Sequence, residues 1–461
     1  MYAYGISHYM GNTFKKITKI SAVVLGVLIL LVIIGLSTGV ISLSGSSNRL
    51  KVTPVAASFE PQQQPPAESP TFAQAVELFA VEPPTTDRFS GDQQEFLAAL
   101  AMVEAAKYGE AEQVFSKLSL CSDTLVRRFS RTALASTLRI QGKWAQLAVW
   151  VDTDPTLLRD STVRKDDGAL FECWSRYPSE KYLIPDKPVT LPMSTVLGGQ
   201  AVVEVSINGH KKKFALDTGA DMTVVSSDIV DECSVKVSDS VTSRVATSTS
   251  KTVGSSSGLI EELRIGDLLI NNHPVLVIPA EDLEFSLLGF KIVHVDGIIG
   301  LPVFMNLEVT MDFVSKQITF ARPPSESISP SNVFYMEMPI VRLSDKSGKP
   351  VYFDLDTGSR KGGITRKLVE YLSLKNAKTV EGTKSGAGGF ENYSALQLDT
   401  LQLYFNNYLL TFEDVTSLAD EAPSLIQRHG RLGINVAADG ILRIDFANGR
   451  LDLTLPQQSN I

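Results

Sequence analysis

The chain has 461 residues, of which 44% are hydrophobic and 20% are charged, and its formal net charge is −8. A chain of this length accommodates about two to four domains with sizeable cores. The acidic balance argues against a nucleic-acid partner, since neutralising phosphates requires a basic face. The cysteines lie far apart without a C-x-x-C pair, and the five histidines do not cluster with them, which argues against a zinc site. The sequence therefore predicts neither a metal nor a cofactor.

The pairing of the cysteines stays open from the sequence. The chain contains three of them, Cys121, Cys173 and Cys233. A Cys121–Cys173 disulfide is one alternative, but buried free thiols are favoured.

Near the N-terminus lies an uncharged apolar run, residues 21–43. A run of this length crosses a bilayer as a helix, and no amphipathic period interrupts it. Basic residues are more numerous before the run than after it: Lys15, Lys16 and Lys19 precede it, and Arg49 and Lys51 follow. We therefore predict a short cytoplasmic N-terminus (1–20), a transmembrane anchor (21–43) and an extracytoplasmic or periplasmic remainder, as in a single-pass protein of the inner or plasma membrane. A cleaved signal peptide is the alternative, disfavoured because the run is longer than a usual signal core.

Two regions of contrasting composition follow. Residues 44–70 are rich in Ser, Gln and Pro and predict a disordered linker. Residues 71–184 predict a helical domain, since apolar residues recur at three- and four-residue spacing. Two similar turn regions, 105–111 and 139–145, have glycines 33 residues apart, and the stretch loosely resembles tetratricopeptide-type hairpins. A plain helical domain is the alternative, and in either case we expect a spacer or a docking surface for a protein partner.

From residue 185 onwards the apolar period changes to two, and one β-rich unit occurs twice. In the first copy a strand at 201–207 leads through an Asn-Gly turn into a return strand that ends FALDTGA (214–220). In the second copy the return strand ends FDLDTGS (353–359). Both copies therefore place Asp-Thr-Gly where a strand finishes and the chain turns.

A second block repeats downstream of each motif. GIIGLPV (297–303) matches GRLGINV (430–436) without gaps. The offset of this block is 133 residues, and that of the two Asp-Thr-Gly motifs is 139. A single Asp-Thr-Gly would indicate no more than a surface turn, because all three residues favour turns. Two copies in matching context indicate duplication of a whole lobe.

The motif DTGA at 217–220 resembles the catalytic motif of retroviral-type aspartic peptidases, and DTGS at 356–359 resembles the pepsin-type variant. Downstream, Ile298-Ile299-Gly300 and Leu432-Gly433 resemble the apolar-apolar-Gly element that packs behind the catalytic loop in this superfamily. The resemblance implies a mainly-β, bilobal acid-protease fold made of two retropepsin-like lobes, 185–325 and 333–456. We therefore expect a multidomain chain with a transmembrane helix, an α-helical domain and this bilobal unit.

The resemblance also implies roles for individual residues. Asp217 and Asp356 would form a catalytic dyad that shares one proton and activates a water against a protein or peptide substrate. The rest of each motif would support the two loops: Thr218, Gly219 and Ala220 in the first, Thr357, Gly358 and Ser359 in the second. Asp221 resembles a residue that contacts the substrate backbone, and Arg360 stands at the matching position of the second copy. Segments 246–258 and 382–392 occupy the places of flaps that close over substrate, with ordinary flexible loops as the alternative.

The second copy departs from the family pattern in its charges. Arg360 and Lys361 stand where the first copy has an acidic and an apolar residue, and Arg431 replaces the apolar Ile298. Such cations would favour ionised carboxylates, unless Arg360 and Lys361 point into solvent. Arg431 predicts either a looser second lobe or an internal Arg–carboxylate pair.

These observations predict an aspartic-type endopeptidase that hydrolyses peptide bonds on the extracytoplasmic side of a membrane. Two alternatives stay open. One is a catalytically weak or silent peptide-binding scaffold that uses the same cleft, which the basic residues of the second copy favour. The other places the dyads between chains, although fusion in one chain gives the intrachain pair the advantage of effective concentration.

Overall fold

The computed structural model describes residues 49–55, 70–81, 87–153, 165–195, 199–246, 252–283, 285–287, 290–293, 295–325, 331–386, 389–418 and 424–456. The cytoplasmic segment predicted at 1–20 and the anchor predicted at 21–43 lie outside these residues, as does most of the predicted linker. Within the described ranges, no helix combines the length and the apolar character that crossing a membrane requires.

The fold is mainly β, with a helical region before the strands. The helices are α1 Phe72–Glu77, α2 Gly91–Glu104, α3 Tyr108–Leu118, α4 Thr124–Ile140, α5 Trp144–Thr153, α6 Lys165–Ser175, α7 Ala280–Leu283, α8 Leu301–Met305 and α9 Arg366–Tyr371. The strands are β1 Arg49–Pro54, β2 Lys181–Leu183, β3 Val189–Pro192, β4 Ser194–Thr195, β5 Ala201–Ile207, β6 His210–Leu216, β7 Val224–Ser226, β8 Lys236–Ala246, β9 Thr252–Ile265, β10 Leu268–Ile278, β11 Phe285–Leu287, β12 Phe290–Val293, β13 Gly297–Ile299, β14 Glu308–Asp312, β15 Gln317–Ala321, β16 Val333–Met336, β17 Met338–Ser344, β18 Pro350–Leu355, β19 Gly363–Ile364, β20 Lys378–Gly386, β21 Gly389–Phe405, β22 Tyr408–Thr416, β23 Gly430–Leu432, β24 Ile441–Asp445 and β25 Arg450–Thr454.

The helical region, α1 to α6, starts its helices at side-chain caps. Ser90 caps α2 and forms a capping box with Gln93. The Asp123 carboxylate accepts the first free N–H groups of α4. The apolar faces of the helices meet around a cluster of aromatic rings: Phe72, Phe96, Phe115 and Phe129.

Two helix–helix turns in this region have the same backbone form. Ala106, between α2 and α3, and Gly142, between α4 and α5, have φ of 58° and 64°. In both turns the next N–H donates to the carbonyl five residues before it, a common way to end a helix. The structurally matching positions are therefore Ala106 and Gly142, because Gly109, which the sequence comparison paired with Gly142, lies inside α3. A tetratricopeptide-like organisation stays a prediction.

The first sheet contains the first Asp-Thr-Gly motif. Its strand order is β2-β10-β7-β13-β6-β5-β9-β8, with β4 paired to β5. β6 and β13 run parallel near its middle, with Leu216 opposite Ile299. β2 pairs with β10 in this sheet, so the helical region ends before the boundary at 184 that we predicted from the sequence.

The second sheet repeats this arrangement. Its strand order is β1-β22-β21-β17-β18-β23-β19, and β16 and β20 pair with β17 and β21. β18 and β23 run parallel, with Leu355 opposite Leu432. After each parallel pair comes a short helical segment, α8 in the first half and a 3-10 helix, Ile434–Ala437, in the second.

The prediction of a disordered linker over 44–70 is wrong for residues 49–54. Residues 49–54 form β1, which pairs antiparallel with β22 along its whole length. The segment alternates polar and apolar residues, and Leu50 and Val52 pack against the core. This period-two pattern is typical of an edge strand and outweighs the Ser- and Pro-rich composition of the surrounding residues.

A third sheet joins the two halves of the β-rich region. Its order is β25-β24-β14-β15-β3, and β14 pairs antiparallel with β24 from Glu308–Asp445 to Asp312–Ile441. Apolar side chains on its inner face are buried: Val309, Met311, Ile318, Leu442 and Ile444. The sheet therefore ties the strands that follow one Asp-Thr-Gly motif to those that follow the other.

The helical region packs directly on the second sheet. The ring of Phe79 stacks on Phe334, with centroids 4.7 Å apart. The Tyr335 N–H donates to the Tyr108 hydroxyl at 2.9 Å, in the core between them. A spacer held away from the β-rich region does not fit these contacts, whereas a docking surface for a partner stays a prediction.

Candidate functional site

The two Asp-Thr-Gly motifs lie at equivalent places in the two sheets. The first D-T-G loop, residues 217–220, follows β6, and the second D-T-G loop, residues 356–359, follows β18. The Asp217 N–H donates to the Ile299 carbonyl and the Asp356 N–H donates to the Leu432 carbonyl, both at 3.0 Å. These matching bonds hold both aspartates at the ends of central strands, where the chain turns away from the sheet.

The side chains of Thr218 and Thr357 brace the two loops against each other. The Thr218 hydroxyl donates to the Leu355 carbonyl at 2.8 Å and accepts the Thr357 N–H at 3.1 Å. The Thr357 hydroxyl donates to the Leu216 carbonyl at 3.2 Å and accepts the Thr218 N–H at 3.0 Å. Both threonines are at most 1% exposed, so these bonds are shielded from water. The reciprocal pattern makes the two loops one rigid element.

The two carboxyl groups meet above this brace. A Cβ added to Gly358 would lie 2.2 Å from Asp217 Cγ, and one added to Gly219 would lie 2.9 Å from Asp356 Cγ. Each aspartate therefore packs against the glycine of the other loop, in space that a side chain would fill. The negative charge of Asp356 therefore acts directly on Asp217 across the two loops.

Asp217 retains a proton more strongly than an ordinary aspartate. Burial of its carboxyl group, although the residue as a whole stays partly exposed, and the negative charge of Asp356 raise the pKa of Asp217 to about 7. The Gly219 N–H, which donates to Asp217 Oδ1 at 2.8 Å, and the Arg431 guanidinium act in the opposite direction but are outweighed. Asp217 therefore retains its proton up to near-neutral pH.

The last residue of each motif anchors its loop through the backbone. The Ala220 carbonyl accepts the Leu301 N–H at 2.8 Å, and the Ser359 carbonyl accepts the Ile434 N–H at 2.9 Å. The Ser359 hydroxyl also donates to the Lys361 carbonyl at 2.9 Å. These bonds connect each loop to the helical segment that follows the repeated glycine block.

Arg431 reaches one of the two aspartates. It pairs with Gly363 and Asp354 in the sheet register, and its Nη1 lies 3.1 Å from Asp356 Oδ2. Of the two outcomes predicted for this departure, the structure contains the Arg–carboxylate pair. Its acidic partner is the aspartate of the motif itself, which the sequence did not indicate.

The second half also has a charged pair at two positions where the first half is apolar. Ala215 and Val295 belong to a small apolar cluster in the first half. At the matching positions the second half has Asp354, which is 0% exposed, and Arg428, whose Nη1 lies 3.5 Å from Asp354 Oδ2. Burying such a pair requires each charge to be compensated, so this half is more polar behind its loop.

Asp221 lies beside the helical region. Its Oδ2 is 3.1 Å from Nη2 of Arg139, near the end of α4. The negative charge of Asp221 raises the pKa of Arg139, against the effect of burial, which acts in the opposite direction. The carboxylate that the sequence assigned to substrate contact is thus already engaged by a guanidinium, and its contact with a substrate stays a prediction.

Arg360 and Lys361 are half-buried at the opposite loop. A Cβ on Gly199 would lie 3.3 Å from Arg360 Cγ, so the stem of Arg360 packs on this glycine. Burial, followed by the charges of Arg360 and Arg49, lowers the pKa of Lys361. The alternative that both side chains simply point into solvent is therefore wrong, and a substrate-binding role for Arg360 stays a prediction.

The two segments assigned to flaps lie on β-hairpins. Segment 246–258 includes the end of β8 and much of β9, and segment 382–392 includes the end of β20 and the start of β21. The described parts of both are therefore paired strands rather than irregular loops. Closure over a substrate stays a prediction.

Sequence reasoning missed a buried polar chain behind the first loop. His273 is fully buried, its Nε2 lies 2.7 Å from the Thr223 hydroxyl, and its Nδ1 bonds to Glu180. The Thr223 hydroxyl also accepts the Gly300 N–H at 3.2 Å. An isolated histidine in a strand gave no signal of this role. The chain links β10 to the glycine block that supports Asp217.

The described residues contain no group of three or more His, Cys, Asp or Glu side chains suited to a metal ion. All three cysteines are free, and Cys121 and Cys173 are only partly buried. The Cys173 thiol contacts the hydroxyls of Tyr177 and Ser257 at 3.5 and 3.3 Å. The alternative of a Cys121–Cys173 disulfide is therefore not the state of this structure.

Comparisons with known proteins give one family match and a distant structural match. Residues 203–302 match the family model described as aspartyl protease. The crystal structure of an aspartic proteinase from Irpex lacteus matches with a TM-score of 0.39 and 13% sequence identity, over 59% of this chain and 99% of that chain. No curated protein matches the sequence. The family match shows that residues 203–302, which include the first D-T-G loop, are similar to an aspartyl protease.

Proposed function

We propose that the chain is an aspartic endopeptidase in which Asp217 and Asp356 activate a water against a peptide bond. The observation that carries this proposal is the close approach of the two aspartates across the braced loops, where each packs against the glycine of the other loop. One shared proton is the state that this chemistry requires, because one carboxylate must accept a proton from the water while the other carboxyl group polarises the scissile carbonyl. Neither a metal nor a covalent nucleophile is needed for this step.

The substrate would lie extended between the two halves, hydrogen-bonded to strand edges like an added strand. The β8–β9 and β20–β21 hairpins would close over it and exclude water. The uncharged run at 21–43 supports a location on the extracytoplasmic face of a membrane, with substrates that are proteins or peptides near that surface.

A catalytically weak or silent peptide-binding protein is the second candidate. The ion pair between Arg431 and Asp356 favours it, because a guanidinium on one dyad carboxylate competes with the water for the same oxygen atoms. The pair between Arg139 and Asp221 favours it as well, because it occupies a carboxylate expected to face substrate.

Hydrolysis of a peptide library by the full-length chain in detergent separates these two functions. The library is incubated from about pH 3 to about pH 8, and new termini are identified by mass spectrometry. We expect cleavage that declines as the pH rises through about 7, because Asp217 then loses the proton that the dyad needs.

The matched control is the double variant Asp217→Asn/Asp356→Asn, which keeps the shape of the site and reports contaminating peptidases. Cleavage that is equal in the double variant would not belong to the dyad. Binding of library peptides without cleavage at any pH, by a chain with a cooperative thermal transition, would establish the second candidate instead.

A further inference from the structure

The two halves have different side chains at one equivalent position of the sheets, next to the proposed dyad. In the first half Ile298 lies next to Ala215 on the parallel strand, and in the second half Arg431 lies next to Asp354. The same backbone position therefore presents an apolar side chain behind Asp217 and a cation beside Asp356. A dyad built from two equivalent loops has no reason of its own to prefer either carboxyl group as the ionised member, so this difference breaks the symmetry.

We propose that Arg431 is a positioning residue that keeps Asp356 as the ionised, proton-accepting member of the dyad and leaves the shared proton on Asp217. The proposal rests on the proposed function, since it assigns roles within that reaction. Its basis is the ion pair between Arg431 Nη1 and Asp356 Oδ2, which are 3.1 Å apart. The side chain of Arg431 is only 26% exposed and that of Asp356 only 13%. At this distance and burial a guanidinium strongly favours the charged form of a carboxyl group.

The charged groups on the neighbouring elements do not favour the opposite assignment, with Asp217 ionised and the proton on Asp356. Behind the second loop, Asp354 bonds to Arg428, and beside the first loop, Asp221 bonds to Arg139. Arg360 and Lys361 follow the second loop and add positive charge on the Asp356 side of the site. On the other side, the Gly219 N–H donates to Asp217 Oδ1 and partly offsets the effects that retain the proton there.

The assignment gives a reaction in which every proton is accounted for. The Asp356 carboxylate takes one proton from the water while the water oxygen bonds to the carbonyl carbon and Asp217 gives its proton to the carbonyl oxygen. The resulting gem-diol returns one hydroxyl proton to Asp217 as the C–N bond breaks. The leaving nitrogen takes the proton from Asp356, so the dyad ends as it began, with products that are one acid and one amine.

The pH–rate profile of Arg431→Met tests this role. Without the cation, the anion on the dyad is less stabilised, so we expect the acidic limb of the profile to move up by about 1–3 pH units. The alkaline limb should move in the same direction by less, because Arg431 is a minor influence on Asp217. Arg431→Lys should keep both limbs close to those of the parent, since it retains the charge.

The control is Arg443→Met, which removes an equal charge from the ion pair with Glu308 in the third sheet, away from the dyad. We expect its profile to match that of the parent. Acidic limbs that coincide in Arg431→Met, Arg443→Met and the parent would overturn the proposal. Arg431→Lys keeps the test open if Arg431→Met does not fold, because a lysine variant with a limb displaced by a full pH unit would also contradict it.

A readout independent of turnover separates this proposal from the proposed function. Spectra of the full chain with ¹³Cγ-labelled aspartate follow both carboxyl groups against pH, and the Asp217→Asn and Asp356→Asn variants assign the two signals. We expect Asp356 to ionise at lower pH than Asp217 in the parent, and this gap to narrow in Arg431→Met. Narrowing in a chain that cleaves nothing would support the role of Arg431 and reject the peptidase. An unchanged gap in a chain that cleaves peptides would reject the role of Arg431 and support the peptidase.

Discussion

Replacing Asp217 or Asp356 by Asn is expected to reduce peptide cleavage by about 10³-fold or more in each single variant. An asparagine keeps the shape of the side chain but can neither accept the proton of the water nor carry the shared proton. Because the proposed dyad works through one proton shared by its two carboxyl groups, either change is expected to remove the function of both. The double variant should therefore be no worse than the worse single variant.

The measurement is the initial rate on one peptide selected from the library, at several pH values. Asp267→Asn is the matched control, since Asp267 is exposed in the turn between β9 and β10 and lies outside the D-T-G loops. This control should retain the parental rate. A single dyad variant that cleaves as fast as the control would remove that aspartate from the reaction.

Gly358→Ala is expected to disrupt the site as severely, through packing rather than through charge. The added Cβ would lie 2.2 Å from Asp217 Cγ and equally close to its Oδ2, far inside the contact distance of real atoms. The second D-T-G loop cannot retreat, because the Thr357 N–H and hydroxyl are bonded to the first loop and to β6. Overpacking of this kind costs about 1–3 kcal/mol of folding free energy and separates the carboxyl groups.

The expected result for Gly358→Ala is therefore a lower thermal transition together with a loss of cleavage. Gly219→Ala should be milder, since its nearest contacts are at 2.9 Å, and Gly91→Ala, which meets nothing within 4 Å at the start of α2, should be neutral or slightly stabilising. Full activity in Gly358→Ala would mean that the two loops are farther apart than this structure has them.

The placement of the two Asp-Thr-Gly motifs could be predicted because it depends on local and repeated features. Period-two strands end at each motif, and the glycine block recurs downstream at nearly the same offset. The parallel pairs β6–β13 and β18–β23 bring these same segments together. The sequence resemblance also implied that Thr218 and Thr357 support the two loops, and both hydroxyls donate hydrogen bonds across them.

Contacts between remote segments could not be predicted in the same way. The pair between Arg139 and Asp221 joins a helix to a loop, and no periodicity in either segment points to the other. The packing of Phe79 on Phe334 is of the same kind. Such pairs depend on how the helical region docks, which hydrophobic patterning of single elements does not determine.

The charged positions of the second half were an intermediate case. The aligned motifs already pair Ala215 with Asp354, and extending the glycine block by two residues would have paired Val295 with Arg428 and so indicated a buried ion pair. Only the structure identifies the partner of Arg431, because Asp354 and Asp356 both lie close to it, on the neighbouring strand and just after that strand. The prediction of a linker was wrong at β1 because it relied on overall composition and overlooked a short strand of alternating polar and apolar residues.

We propose that one chain carries both carboxyl groups of one site, and mixing the two single variants distinguishes this arrangement from a dyad formed between chains. Asp217→Asn and Asp356→Asn chains are purified separately, combined in equal amounts under conditions that allow subunits to exchange, and compared with each variant alone on the same peptide. We expect the mixture to be as inactive as its components, since each chain lacks one member of its own dyad. Recovery of cleavage in the mixture, or substantial cleavage by either variant alone, would place the dyad between chains and contradict the account.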